Sequence, residues 1–305
     1  MTRYTLFVAV LLTGISVGHA QEPTNASHWK LPKDKHNFHV FLLMGQSNMS
    51  GGTKMLPEDK KPTAHVVMLP TISKRPLMWQ PAAHPLHNRR PNFGPGLSFA
   101  VEYLKDKPGV VVGLIPVAWG GSPIDGLKAG TPTYKDAIKK AKFASAEGEI
   151  KGVLWHQGES DTVTVERSES YEGKLHQLIL DLRRDLGVAD LPFIVGNLAE
   201  FYGTGKDHRA PDRVRRINKI RKVLRSVPDK IADTEFVEST GCTSPDKHMV
   251  HFDRRSYLVL GERYARAFAS VIAKREQDAG QPATAPELKT EGNEKPKPES
   301  EVRPQ

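Results

Sequence analysis

The chain has 305 residues, a formal charge of +9 and a single cysteine, Cys242. That length suits one large domain with tails. One cysteine excludes an intramolecular disulfide framework and any cysteine-based metal site, so stability rests on a buried core, which a domain of this size can supply.

Residues 1–20, MTRYTLFVAVLLTGISVGHA, place Arg3 ahead of an apolar core from Leu6 to Leu12 and end in small residues at Gly18 and Ala20. This pattern is that of a secretory signal peptide cleaved before Gln21, and its apolar stretch is too short to remain as a membrane anchor. No later segment is a candidate span, so the expected mature protein is exported (secreted or periplasmic) and soluble. Residues 21–38 form a lead-in, 39–274 the folded domain, and 275–305, rich in Pro, Glu and Lys, a disordered tail.

The first predicted strand is Val40–Gly45, which opens into "GQSNMSGG". Gly, Asn and Ser supply turn chemistry where a strand leaves a core. Such a turn also lifts a side chain to the carboxyl edge of an open α/β sheet, where ligands bind. A serine placed there is a nucleophile only if a base lies elsewhere in the chain. A second, weaker strand surrounds Val66, and "GPGLSFAVEYLKDK" from Gly94 becomes helical. "GVVVGLIPVAW" from Gly109 is a continuous β-branched run, as expected for a strand buried on both faces.

A helix from Tyr134, a strand from Gly152 leading into "WHQGESD", a helix over "SYEGKLHQLILDLRRDL" and a strand from Pro192 follow. Between Lys206 and Arg225 nine Lys/Arg (206, 209, 213, 215, 216, 219, 221, 222, 225) accompany only Asp207 and Asp212. Val214, Ile217, Val223 and Leu224 recur near helical spacing, which predicts an amphipathic helix with a basic outer face. That face is either solvated or attracts an anionic partner. For an exported chain an acidic polysaccharide fits better than nucleic acid, for which no motif is present. A short extended segment near "TEFVEST" and a last helix from Arg254 to Arg275 complete the pass. Strands alternating with helices predict an α/β fold: a three-layer α/β/α sandwich, flavodoxin-like, with a mostly parallel sheet.

Polar residues gather at the strand exits: Ser47; Gly120, Gly121 and Ser122; His156, Gln157, Glu159 and Asp161; and Asp246, His248 and His251 before the last helix. An acyl-transfer site needs a nucleophile, a base and donors aimed at the developing oxyanion, and all three types are present. "GQSNM" at 45–49, "WGGS" at 119–122, "WHQGESD" at 155–161 and "VHFD" before "LGERYA" together resemble the sialate O-acetylesterase-like domain. That family includes acetyl xylan esterases of carbohydrate esterase family 6, within the SGNH hydrolases.

The resemblance implies a carboxylic ester hydrolase that removes acetyl from an acetylated polysaccharide or oligosaccharide without a cofactor. It implies Ser47 as nucleophile and oxyanion donor, Gly120 or Gly121 as a second N–H donor, Gln157 as a side-chain donor and His251 as general base. Gln46 and Glu159 are supporting candidates. The acid departs from the usual D-x-x-H spacing: His248 holds that position and Asp246 lies five residues before His251. Asp246 is the expected acid, with Glu159 or a Ser–His dyad as alternatives. Trp119 and Trp155 are expected in packing, and His156 and Ser122 at the solvent edge. Two other functions compete. His84, His87, His248, His251 and Asp253 have the residue types of a metal-dependent hydrolase, and a glycan-binding module without turnover would have no need of Ser47 and His251.

Overall fold

The computed structural model describes residues 30–71, 76–87 and 92–280. The leader at 1–20 and the tail beyond 280 lie outside them. In chain order the elements are β1 (Phe38–Gly45), α1 (Ser47–Ser50), β2 (Thr53–Lys54), β3 (Val66–Met68), β4 (Gln80–Pro81), β5 (Asn92–Phe93) and α2 (Gly96–Leu104). Then come β6 (Val111–Pro116), α3 (Pro132–Ser145), β7 (Glu149–His156), α4 (Val165–Leu186), β8 (Phe193–Gly196), α5 (Pro211–Lys230), β9 (Thr234–Val237) and α6 (Arg254–Gly280).

β1 is the centre of the sheet because both of its faces are apolar. Phe38, Val40, Phe41, Leu42, Leu43 and Met44 are all fully buried. Phe41 meets Phe99 of α2 and Phe268 of α6 edge-on, with centroids 4.8 and 5.2 Å away, a favoured aromatic geometry. α2 and α6 thus pack over one face, while α3, α4 and α5 pack side by side over the other.

The seven-stranded sheet runs β4-β3-β6-β1-β7-β8-β9. Only β4 is antiparallel to its neighbour; the other pairs are parallel. The architecture is therefore the expected three-layer α/β sandwich. The chain steps out from β1 to β3, returns to β6 and crosses to β7 on the other side. The crevice beside β1, between the exits of β6 and β7, is where doubly wound sheets hold ligands.

Three details differ from the sequence reading. β1 starts at Phe38 rather than Val40, because Phe38 packs edge-on against Trp79 at 4.9 Å. The weak strand at Val66 is a full member of the sheet, paired with β6. α6 continues past the expected tail start to Gly280. No helix among the described residues is long and apolar enough to cross a membrane.

Three histidines are enclosed by this packing: His84, His87 and His156, with relative exposures of 5%, 4% and 0%. Burial pushes their pKa values down to about 4, 3 and 3, since a low-dielectric interior disfavours the imidazolium. The unfolded chain binds these protons near pH 6.5 and the fold does not, so stability is lost as pH falls below that value. Urea unfolding at pH 7.5, 6 and 5 is expected to show stability falling with acid by up to about 1.4 kcal/mol per pH unit for each histidine. Stability that stays flat or rises from pH 7 to pH 5 would contradict this placement.

Candidate active site

The turn after β1 is shaped by close approach. Gly45 sits at φ 133°, and a Cβ there would lie 2.1 Å from the His156 carbonyl oxygen. Only glycine lets the end of β1 press so closely on β7. The Gln46 N–H then donates to that same carbonyl at 2.9 Å, and Ser47 opens the one-turn helix α1. The chain leaving β6 runs alongside, with the Trp119 N–H donating to the Gly45 carbonyl at 3.0 Å. This brings Gly120 to Ser47: a methyl placed on Gly120 would lie 3.8 Å from the Ser47 Cβ.

The two amides flanking Ser47 are braces. Asn48 is fully buried; its Nδ2 donates to Glu159 Oε1 at 2.5 Å and to the Val250 carbonyl at 3.0 Å. The Tyr257 hydroxyl of α6 donates to Asn48 Oδ1 at 2.9 Å. Gln46 Oε1 accepts from Gln157 Nε2 and the Ser160 N–H, each at 3.2 Å. The serine turn is thus tied to the β7 exit on one side and to the approach to His251 on the other. His251 itself packs on the glycine pair that follows α1, where a Cβ on Gly52 would lie 2.4 Å from the His251 Cβ and Cγ.

These exits enclose a cavity of about 680 Å³, lined among others by Gln46, Ser47, Gly120, Gly121, Glu159 and His251. Ser47 and His251 are half-buried, so both present themselves to solvent in the cleft. Glu159 is 3% exposed, and burial raises its carboxyl to about 7, with the nearby Asp161 charge adding to the rise.

Two expected residues are placed elsewhere. Gln157 is fully buried and does not line the cavity. Its Nε2 is shared among Gln46 Oε1, the Ser122 carbonyl at 3.1 Å and Asp161 Oδ2 at 2.5 Å. Two hydrogens facing three internal acceptors leave none for an oxyanion, so Gln157 braces the exit loops. Asp246 is exposed and also absent from the cavity wall. Its carboxylate accepts the His248 N–H at 2.8 Å, inside a turn that carries Met249 at φ 52°. The loop uses this aspartate to satisfy itself, as Asx turns do.

The histidine pairs are also dispersed. His87 lines the cavity, whereas His248 is exposed beside Asp207, its Nδ1 3.1 Å from Oδ2. Asp253 caps α6 by accepting the Ser256 N–H at 2.7 Å. Among the described residues no three or more His, Cys, Asp or Glu are grouped to hold a metal ion. Trp155 is a core residue, fully buried, as read from sequence. His156, expected at the solvent edge, is fully buried instead and meets Phe252 edge-on at 5.5 Å. The residues that sequence reading passed over are Asn48 as a hub, Gly52 as the seat of His251, and Tyr202 and His208 on the cavity wall; Arg213, which also lines it, was read only as one of the basic run. Of those passed over, only the glycine pair carried a visible signal.

A family model described as carbohydrate esterase, sialic acid-specific acetylesterase matches residues 37–270. The chain is 29% identical over 253 residues to the probable carbohydrate esterase At4g34215 of Arabidopsis thaliana, covering 76% of this chain and 90% of that protein. The crystal structure of the Arabidopsis protein matches with a TM-score of 0.64 at 30% identity, covering 76% of this chain and 98% of that one. NanS has the same fold at 17% identity and a TM-score of 0.61, covering 79% and 99% of the two chains. So does XAC1771, a carbohydrate acetylesterase from Xanthomonas citri, at 22% identity and 0.54, covering 77% and 56%. The family match runs from the residue before β1 well into α6 and leaves no strand of the sheet outside it: the chain belongs to the sialic acid-specific acetylesterase family of carbohydrate esterases.

Proposed function

We propose that this carboxylic ester hydrolase releases acetate from O-acetylated glycans through an acetyl-enzyme on Ser47. The observation that carries the reading is the meeting of Ser47, Gly120 and His251 in one cavity. In the proposed reaction His251 takes the Ser47 proton as Oγ attacks the acetyl carbonyl. The backbone N–H groups of Ser47 and of Gly120 or Gly121 receive the oxyanion. The sugar hydroxyl leaves with the proton from His251, and a water activated by the same histidine releases acetate.

The acid behind the histidine is reassigned within this reading. Asp246 is occupied by its own turn, whereas Glu159 is the carboxyl enclosed at the cavity wall. Glu159 acts as a positioning residue: it shares the Asn48 amide with the Val250 carbonyl, one residue before His251. The exported destination is part of the same reading, resting on residues 1–20, and a mature chain beginning at Gln21 by N-terminal sequencing is the result that supports it.

Ser47→Ala is expected to lower acetate release by on the order of 10⁴ to 10⁶ while the protein melts as the wild type does. EDTA is expected to leave the wild type active. Near-native turnover in the folded variant, or a loss on chelation that zinc restores, would overturn the serine mechanism.

Gly52→Ala tests the seat of the histidine. The added methyl collides with the His251 ring, and a displaced base is expected to cost about 10²-fold in kcat or more. Asp246→Asn is expected to cost less than about tenfold, whereas a drop near 10⁴-fold, the cost of an orienting carboxylate, would return Asp246 to the site.

A further inference from the structure

In the proposed reaction His251 hands its proton to the departing sugar oxygen, so the sugar sits on the histidine's side of the cavity. That side is built from the end of the serine turn. Ser50, Gly51 and Gly52 line it, together with Asn92 and Val250. Gly52 is the seat of His251, and the Ser50 hydroxyl turns back to the Ser47 carbonyl at 3.2 Å. Asn92 brings a side-chain amide to this wall.

The place of that amide is fixed by the backbone around it. Asn92 and Phe93 form β5, which pairs antiparallel with β2, Asn92 opposite Lys54. Gly51, at φ 103°, runs so close to β5 that a Cβ there would lie 2.4 Å from the Phe93 carbonyl oxygen. Across this contact Asn92 Nδ2 donates one hydrogen to the Gly51 carbonyl at 2.9 Å. The Gly51 N–H in turn donates to the Ser47 carbonyl at 2.8 Å. The amide is thereby tied between the nucleophile's turn and the seat of the base. Its second hydrogen and Oδ1 have no partner among the described residues, and Oδ1 is not enclosed, since Asn92 is half-buried on the cavity wall.

We infer that Asn92 is a specificity-determining residue that binds the hydroxyl beside the acetylated oxygen, so that the chain selects acetyl esters of vicinal diols. A primary amide holds a donor and an acceptor side by side, and one hydroxyl group complements both. The hydroxyl on the carbon next to the ester travels with the leaving oxygen wherever that oxygen meets His251. An analogue without it leaves the amide unpaired, which costs that analogue rate. The inference rests on the proposed esterase reading for the side on which the sugar leaves; the free amide itself is read from Asn92 and its surroundings.

The test compares cis- and trans-2-acetoxycyclohexanol, the latter two being monoacetates of vicinal diols, with cyclohexyl acetate, which lacks the hydroxyl. Each ratio of kcat/KM, monoacetate over cyclohexyl acetate, is divided by the same ratio for hydroxide, which removes the intrinsic effect of the neighbouring hydroxyl. The wild type is expected to keep a preference of about tenfold for at least one isomer. Asn92→Ala brings that preference close to one, and Asn92→Gln, which moves the amide by one methylene, reduces it. Lys54→Met, on the strand opposite, leaves it intact. A merely structural Asn92 would lower both substrates together and leave the ratio where it was. If Asn92→Ala does not fold, the Asn92→Gln comparison decides. Failure of the esterase reading shows separately, as a folded Ser47→Ala protein that still hydrolyses cyclohexyl acetate. Two results overturn the assignment of Asn92: a wild-type preference no greater than that of hydroxide for either isomer, or a preference undiminished in a folded Asn92 variant.

Discussion

The amide of Asn48 is the interaction on which the geometry of the site depends. Fully buried, it joins three segments that are remote in sequence: the serine turn it belongs to, the β7 exit through Glu159, and α6 through Tyr257. Its remaining donor holds the Val250 carbonyl, next to His251. A buried amide satisfied by a carboxyl, a carbonyl and a hydroxyl is costly to disturb, because any lost partner leaves a desolvated polar group. That cost fixes the serine turn and the approach to the histidine relative to each other. Glycines set how closely the segments approach: Gly45 against His156 and Gly52 against His251.

Electrostatics follows from the same enclosure. The carboxyl of Glu159 and the ring of His87 share the cavity wall, and burial favours the neutral form of each. Their pH effects on stability oppose one another. The histidine destabilises the fold as pH falls, whereas ionising Glu159 destabilises it as pH rises from about 4.5 toward 7. The cations of α5 do a different job. Guanidinium groups of Arg216 and Arg221 bind carbonyls of the loops that leave β7 and β8, so the basic face closes the strand exits that a parallel sheet leaves open.

The sequence made the scaffold legible because the signals are local. A continuous apolar run at Phe41–Met44 followed by Gly45 marks a core strand and its exit, and the alternation of such runs with amphipathic helices implies a covered parallel sheet. Side-chain chemistry at the exits was legible for the same reason. Partners were not. Gln157 has the donors an oxyanion needs, but Asp161, Ser122 and Gln46 compete for them, and two of those lie on other strand exits. Asp246 has the charge a base partner needs, but its own turn holds it at the surface. His156 reads as polar, yet it ends a strand covered by Tyr264 and Phe252. The outcomes at Gln157 and His156 turn on contacts across long sequence separations, which spacing does not encode, whereas Asp246 is claimed by the backbone of its own turn.

The central claim is that acetyl transfer passes through Ser47. The most direct measurement is rapid acid quench of the wild-type chain during turnover of p-nitrophenyl acetate, followed by peptide mass spectrometry. The account predicts one acetyl group on the peptide spanning the β1 exit, located at Ser47, appearing in a burst and decaying as substrate is exhausted. Acetate release at full rate with that peptide unmodified throughout, or with the acetyl group confined to another residue, would contradict it.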